Sequence, residues 1–176
     1  MHIARMVYID ANVFAYRLLP GYSNQQVRQA TDFFLDIEIG QFQGTLSSFT
    51  EQEFRGVAKK MISKAKSQSI SPQEEQTAMQ DLEEFINQLG LIRTDSDKLI
   101  HHPNMQNIFA ESNQMLIPAQ AKLRQPKNEW RAIGASDAIL ISLAIRSGAD
   151  HIATFDFGFK GMVNSTISLL YIPEEY

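Results

Sequence analysis

The chain has 176 residues, 44% of them apolar and 20% charged, which suits one domain that buries about 70% of the surface its unfolded chain would expose, and not a disordered chain. It has no cysteine, so disulfides, thiolate zinc sites and cysteine nucleophiles are excluded. A net charge of −4 argues against nonspecific polyanion binding, so chemistry on an anionic substrate has to rest on local features.

The opening run MHIARMVYIDANVF breaks its apolar residues with polar ones, so neither a signal peptide nor a membrane span is placed there, and a soluble, cytoplasmic protein is expected. Residues 6–9 form a short apolar run ending at Asp10, as a buried strand does at its functional edge. Pro20, Gly21, Ser23 and Asn24 mark a loop, and Val27, Ala30, Phe34 and Ile37 then recur at helical spacing up to a stop at Gly40. Residues 44–49 read as a second strand, with Thr50 capping a helix that runs to about Lys66. Ser71, Pro72 and Glu74 supply the N-cap, first-turn proline and third-position acid of a capping box. Ala78, Leu82, Phe85, Ile86 and Leu89 share one face of that helix, and Gly90 ends it.

Residues 91–94 are a third strand candidate, and a poorly patterned stretch over 95–132 follows, with weak helical spacing over 105–116. Seven of the eight residues 138–145 are apolar, which predicts a helix buried on most sides and stopping near Gly148. Residues 151–155 form a strand leading to Asp156, and 167–172 a closing strand before Pro173. Strands alternating with helices, without repeats, predict one α/β domain over 1–176, with a central, mainly parallel sheet of four to five strands and helices on both faces.

Asp10 and Asp156 each follow an apolar strand, so both carboxylates are expected in the crevice at one sheet edge. Turn formation or helix capping is the competing explanation for each. Asp137 lies with Ser136 in the first turn of the apolar helix, where the helix dipole favours an anion, so capping competes there as well. Projection at about 100° per residue puts Phe54, Ala58, Met61, Ile62 and Ala65 on the buried side of the second helix. Glu53, Lys60 and Lys64 then line one flank, and Arg55, Lys59 and Lys66 the other. A solvated surface is the ordinary meaning of such charges; the functional one is that Lys60 and Lys64 hold phosphates leading to Glu53. Clustered carboxylates repel and raise one another's pKa, a conflict that a divalent cation resolves. All-oxygen ligation suits Mg2+ or Mn2+, and phosphodiester hydrolysis is the matching reaction. His2, His101, His102 and His151 have no paired ligand spacing, and there is no Walker loop, GxGxxG turn or GxSxG elbow.

YIDANVF (8–14), SSFTEQEF (47–54), SDAILISLA (136–144) and TFDFGF (154–159) resemble, in this order, the four motifs of PIN-domain nucleases, and the resemblance spans nearly the whole chain. It implies a PIN-like three-layer α/β/α fold. It also implies that Asp10, Glu53, Asp137 and Asp156 are the catalytic and metal-binding set for Mg2+ or Mn2+, with Asn12 and Thr154 in support. The implied activity is metal-dependent hydrolysis of RNA phosphodiester bonds, in one setting as the toxin of a type II toxin–antitoxin pair. Its partners would be RNA and an antitoxin protein; a homodimer is expected, and no membrane. Glu51, two residues before Glu53 and about 200° away on a helix, is the rival for the motif's acid. The stretch 95–132 is longer than a minimal toxin carries. The alternatives are a catalytically silent PIN-fold RNA-binding or scaffold protein, a structure-specific DNA nuclease, and a receiver-like phosphoacceptor using Lys160.

Overall fold

In the computed structural model, which describes residues 4–94, 110, 135–156 and 168–171, the apolar run near the start is the central strand β1 (Arg5–Ile9). It is flanked by β2 (Phe42–Leu46) and β4 (His151–Thr154), with β3 (Ile92–Arg93) and β5 (Ser168–Tyr171) at the edges. All pairings are parallel and the order is β3-β2-β1-β4-β5. Five helices are described: α1 (Ala11–Leu18), α2 (Asn24–Glu38), α3 (Ser48–Lys66), α4 (Pro72–Gln88) and α5 (Ala135–Arg146). The stretch 95–132, except Ala110, falls outside the described residues, and so does most of the helical signal over 105–116.

Strand alternation divides the core. Val7, Ile9, Leu46 and Ala153 pack with residues of α1 to α4 on one face, whereas Tyr8 and Ile152 pack with Ala138, Leu140, Ile141, Leu143 and Ala144 of α5 on the other. Helices therefore cover both faces, which is why β1 reads as an uninterrupted apolar run. Among the described residues no helix is long and apolar enough to cross a membrane.

Sequence and structure differ in three places on the way to the site. Helix α1 follows Asp10 directly, where the pattern offers no separate element. Its contiguous buried residues Val13, Phe14 and Ala15 erase the amphipathic period that would announce a helix. Strand β2 covers 42–46 instead of 44–49, and α3 has Ser47, not Thr50, at its N-cap. Ala65 is exposed, although helical phase puts it on the buried side, because the last turn of α3 extends past the core. The capping boxes of α2 (Ser23 with Gln26) and α4 (Ser71 with Glu74) are both complete.

Strand order carries the functional geometry. The chain runs outward from β1 to β2 and β3, then returns to place β4 on the other side of β1. The gap beyond the C-terminal ends of β1 and β4 is thus the topological switch point, where open α/β sheets bind ligands.

Candidate active site

Asp10 leaves β1 at this switch point, its amide donating to the Ala153 carbonyl of β4 (3.0 Å). It occupies the N-cap position of α1 but makes no side-chain cap hydrogen bond, although the nearby Asn12 and Ala11 amides still help hold its pKa down. Its carboxylate Oδ2 instead accepts from Thr154 Oγ1 (2.5 Å) and Asn12 Nδ2 (2.7 Å). The Thr154 hydroxyl in turn accepts from Asn12 Nδ2 (3.1 Å) and from the Asp156 amide (3.0 Å), and Asn12 Oδ1 accepts from the Phe155 amide (3.1 Å). With one proton donated and two bonds accepted, Thr154 Oγ1 is fully used. One hydroxyl thereby orients the Asp10 carboxylate and the backbone that carries Asp156.

Glu53 lies one turn into α3, half-buried, while Glu51 turns away to Arg93 Nε (2.7 Å). Helical phase separates the two acids as expected. Basic residues on α3 divide likewise. Arg55 and Lys59 pair with Glu75, and Lys66 with Glu74, all across to α4. Lys60 and Lys64 make no ion pair among the described residues, and Lys60 lines the same pocket as Glu53. Lys64, one turn farther along, is not part of that lining.

An open pocket of about 380 Å³ is lined by Asp10, Asn12, Glu53, Lys60, Asp137 and Asp156, with Ala11, Gly56 and Val57 as its smaller walls. All four acids singled out in the sequence are therefore brought together, Asp137 from the first turn of α5. Burial pushes the Asp10 carboxyl up to about 6, against the Thr154 hydrogen bond, and the Asp137 charge adds to the rise. Burial, then the charges of Asp10 and Asp137, push Glu53 up to about 7, opposed by a hydrogen bond from Ser136. Such mutual destabilisation of like charges is what a divalent cation relieves, and a donor set of carboxylates alone is the hard-oxygen chemistry of Mg2+ and Mn2+. Among the described residues no three acids converge tightly enough to hold one ion between them. The residues fit such an ion by donor type and electrostatics.

Sequence reasoning missed a second polar group beneath the pocket. Tyr8, wholly buried on the α5 face of β1, shares a short hydrogen bond with Ser47 Oγ and accepts from Thr50 Oγ1 (3.2 Å). The signal was the Ser47, Thr50, Glu53 spacing of three, which places a second and third polar residue on the ridge that carries the acid. Burial, ahead of the charges of Glu53 and Asp10, holds the Tyr8 hydroxyl up to about 12, so it is neutral. Tyr16 also borders the site, stacked on Phe155 with ring centroids 4.4 Å apart.

No protein-family model matches the sequence, and no curated protein matches it. Solved structures do. A chain of VapBC2 from Rickettsia felis, bound to a DNA fragment from its promoter, is 17% identical with a TM-score of 0.53 over 94% of this chain and 98% of its own. A chain of FitAcB from Neisseria gonorrhoeae is 18% identical with a TM-score of 0.55 over 95% and 98%. VapC20 from Mycobacterium tuberculosis, a sarcin-ricin loop cleaving toxin, is 11% identical with a TM-score of 0.47 over 88% and 93%. With its parallel five-stranded sheet covered on both faces, and its likeness to the first two structures over almost their full lengths, the chain takes the PIN-like α/β/α fold that its four motifs resemble.

Proposed function

We propose that the chain is a metal-dependent endoribonuclease, a single PIN domain over residues 1–176 whose catalytic set is Asp10, Glu53, Asp137 and Asp156. The observation that carries this reading is the convergence of these four carboxylates, from three distant parts of the chain, on one pocket at the sheet's switch point. Burial there makes the charged forms of Asp10 and Glu53 costly. A fold maintained only for packing gains nothing from that arrangement. The four acids would hold Mg2+ or Mn2+, which when bound supplies activation of water and charge stabilisation at the phosphate.

The chain's own residues orient and bind. Thr154 and Asn12 fix the Asp10 carboxylate, and Thr154 also fixes the Asp156 backbone. Lys60 and Lys64, left without the α4 acids that tie down Arg55, Lys59 and Lys66, hold phosphates of the incoming strand. A cytoplasmic toxin with an antitoxin partner, working as a homodimer, is the setting supported by the motif resemblance and by the fold shared with the VapBC2 and FitAcB chains.

The test is cleavage of a mixed single-stranded RNA panel with Mg2+, Mn2+ or EDTA, using wild type, Asp10→Asn and Asp137→Asn purified identically. Metal-dependent cutting lost in both variants is expected. Equal cutting by the variants, or none by folded wild type with any metal, overturns the reading and favours a silent RNA-binding module.

A further inference from the structure

The four helices whose N-caps are described divide into two kinds. Helices α2 and α4 close their own N-termini with complete capping boxes. Helices α1 and α3, which lead from Asp10 and carry Glu53, have Asp10 and Ser47 at the N-cap, residue types that normally cap, yet neither side chain does so. Asp10 is drawn to Thr154. The Ser47 hydroxyl is drawn to Tyr8, and Thr50, in the first turn of α3, donates to the same phenol oxygen. Tyr8, Ser47 and Thr50 are all wholly buried, so none of the three can exchange its partner for water.

Resting on the nuclease reading above, we propose that Tyr8 is a positioning residue: its hydroxyl fastens the first turn of α3 to β1 and so sets the place of Glu53 relative to Asp10. The spacing supports this. Tyr8 precedes Asp10 by two residues on a strand paired on both sides, and Thr50 precedes Glu53 by three, on the same ridge of α3. One phenol therefore joins the strand that presents one carboxylate to the helix that presents another. A self-capped α3 would keep its core packing through Phe54 and Ala58 but lose the hydrogen bonds that fix its first turn to β1. A capping bond is local, whereas the Tyr8 bonds span 39 and 42 residues of sequence.

The experiment compares wild type, Tyr8→Phe, Thr50→Val, Thr50→Ser and, as a stability control in α4, Ile86→Val. Three quantities are read: amide exchange over residues 50–54, Mn2+ affinity by titration, and kcat with KM on single-stranded RNA. For Tyr8→Phe and Thr50→Val the expectation is exchange at 50–54 faster by about tenfold, weaker Mn2+ binding, and kcat lower by about ten- to hundredfold with KM within about twofold. Thr50→Ser restores all three. Ile86→Val, with a comparable loss of thermal stability, changes none of them. Wild-type exchange and wild-type Mn2+ affinity in Tyr8→Phe overturn the proposal, and so does equal loss in Ile86→Val. Exchange and metal binding need no substrate. Wild type that binds Mn2+ but cuts no RNA therefore defeats the nuclease reading while these two readouts still decide the role of Tyr8; should Tyr8→Phe fail to fold, the Thr50 pair decides it.

Discussion

The Thr154 hydroxyl is the most heavily used single atom described at the site. It donates to Asp10 and accepts from Asn12 and from the Asp156 amide. Thr154→Val keeps the shape but leaves buried partners unpaired, a loss of about 1–3 kcal/mol that a shift in the denaturation midpoint reports. The same change removes the largest of the three hydrogen bonds that hold the Asp10 pKa down, leaving those from the Asn12 and Ala11 backbone, so the Asp10 titration moves upward from about 6, measurable by carboxyl NMR. A variant with wild-type midpoint and titration would show that the hydroxyl is dispensable. At this scale the meeting of the four acids in one pocket was legible in the sequence, because Asp10 and Asp156 stand at the ends of apolar strands, Asp137 at the start of an apolar helix and Glu53 on a polar flank of α3. Tyr8 was not, because an aromatic inside an apolar strand reads as packing, and only the fold reveals the two hydroxyls brought to it from some forty residues away.

Helix α3 presents two classes of positive charge. Lys59 is tied to Glu75 at 3.1 Å, whereas Lys60 lines the acid pocket without an ion pair among the described residues. Lys60→Ala is expected to weaken RNA binding and to flatten the salt dependence of log K by about 0.7, the value for one phosphate contact to a single strand. Lys59→Ala leaves both unchanged. Identical salt slopes for the two variants, measured by fluorescence anisotropy from 50 to 200 mM salt (roughly the range over which such slopes are read), would contradict the phosphate-binding role. Legibility among the helices followed their capping. The boxes of α2 and α4 close on their own residues, so for α4 the sequence stated the start outright. The N-cap side chains of α1 and α3 bond instead to Thr154 and Tyr8, far away in the chain, and these were the starts that local pattern missed or misplaced.

For the molecule as a whole, the acid site costs stability, which on the proposed nuclease reading a bound cation would return. Asp10 and Glu53 have folded pKa values of about 6 and about 7, both raised. Groups raised on folding contribute stability that is fully present below their ordinary values and lost as pH rises through the folded ones. In EDTA, the part of Tm due to these two residues therefore declines between about pH 4 and pH 7. For Asp10 the decline is on the order of 2 to 3 kcal/mol. Asp10→Asn removes its share, so metal-free Asp10→Asn should melt above wild type at pH 8 and match it near pH 4. Saturating Mg2+ or Mn2+ should reverse the order at pH 8, with about 2.7 kcal/mol returned at a hundredfold excess over Kd. Calorimetry in which Asp10→Asn follows the wild-type pH profile throughout would refute this electrostatic account. The fold was readable at this scale because the alternation of strands and helices permits few sheet orders. The position of β4 beside β1 was not, since nothing local to either strand names its neighbour.

That neighbour relation has a temporal side. Asp10 belongs to the first strand, whereas Thr154, which orients it, and Asp156 stand at the far end of the chain, 144 residues from Asp10 in the case of Thr154. Synthesis proceeds from the N-terminus at about 5–20 residues per second. A growing polypeptide thus holds Asp10 and Glu53 for several seconds before Asp137 and the β4 end exist to join them. Whatever these carboxylates do together, they cannot do it before residue 156 has been added and β4 has taken its place beside β1.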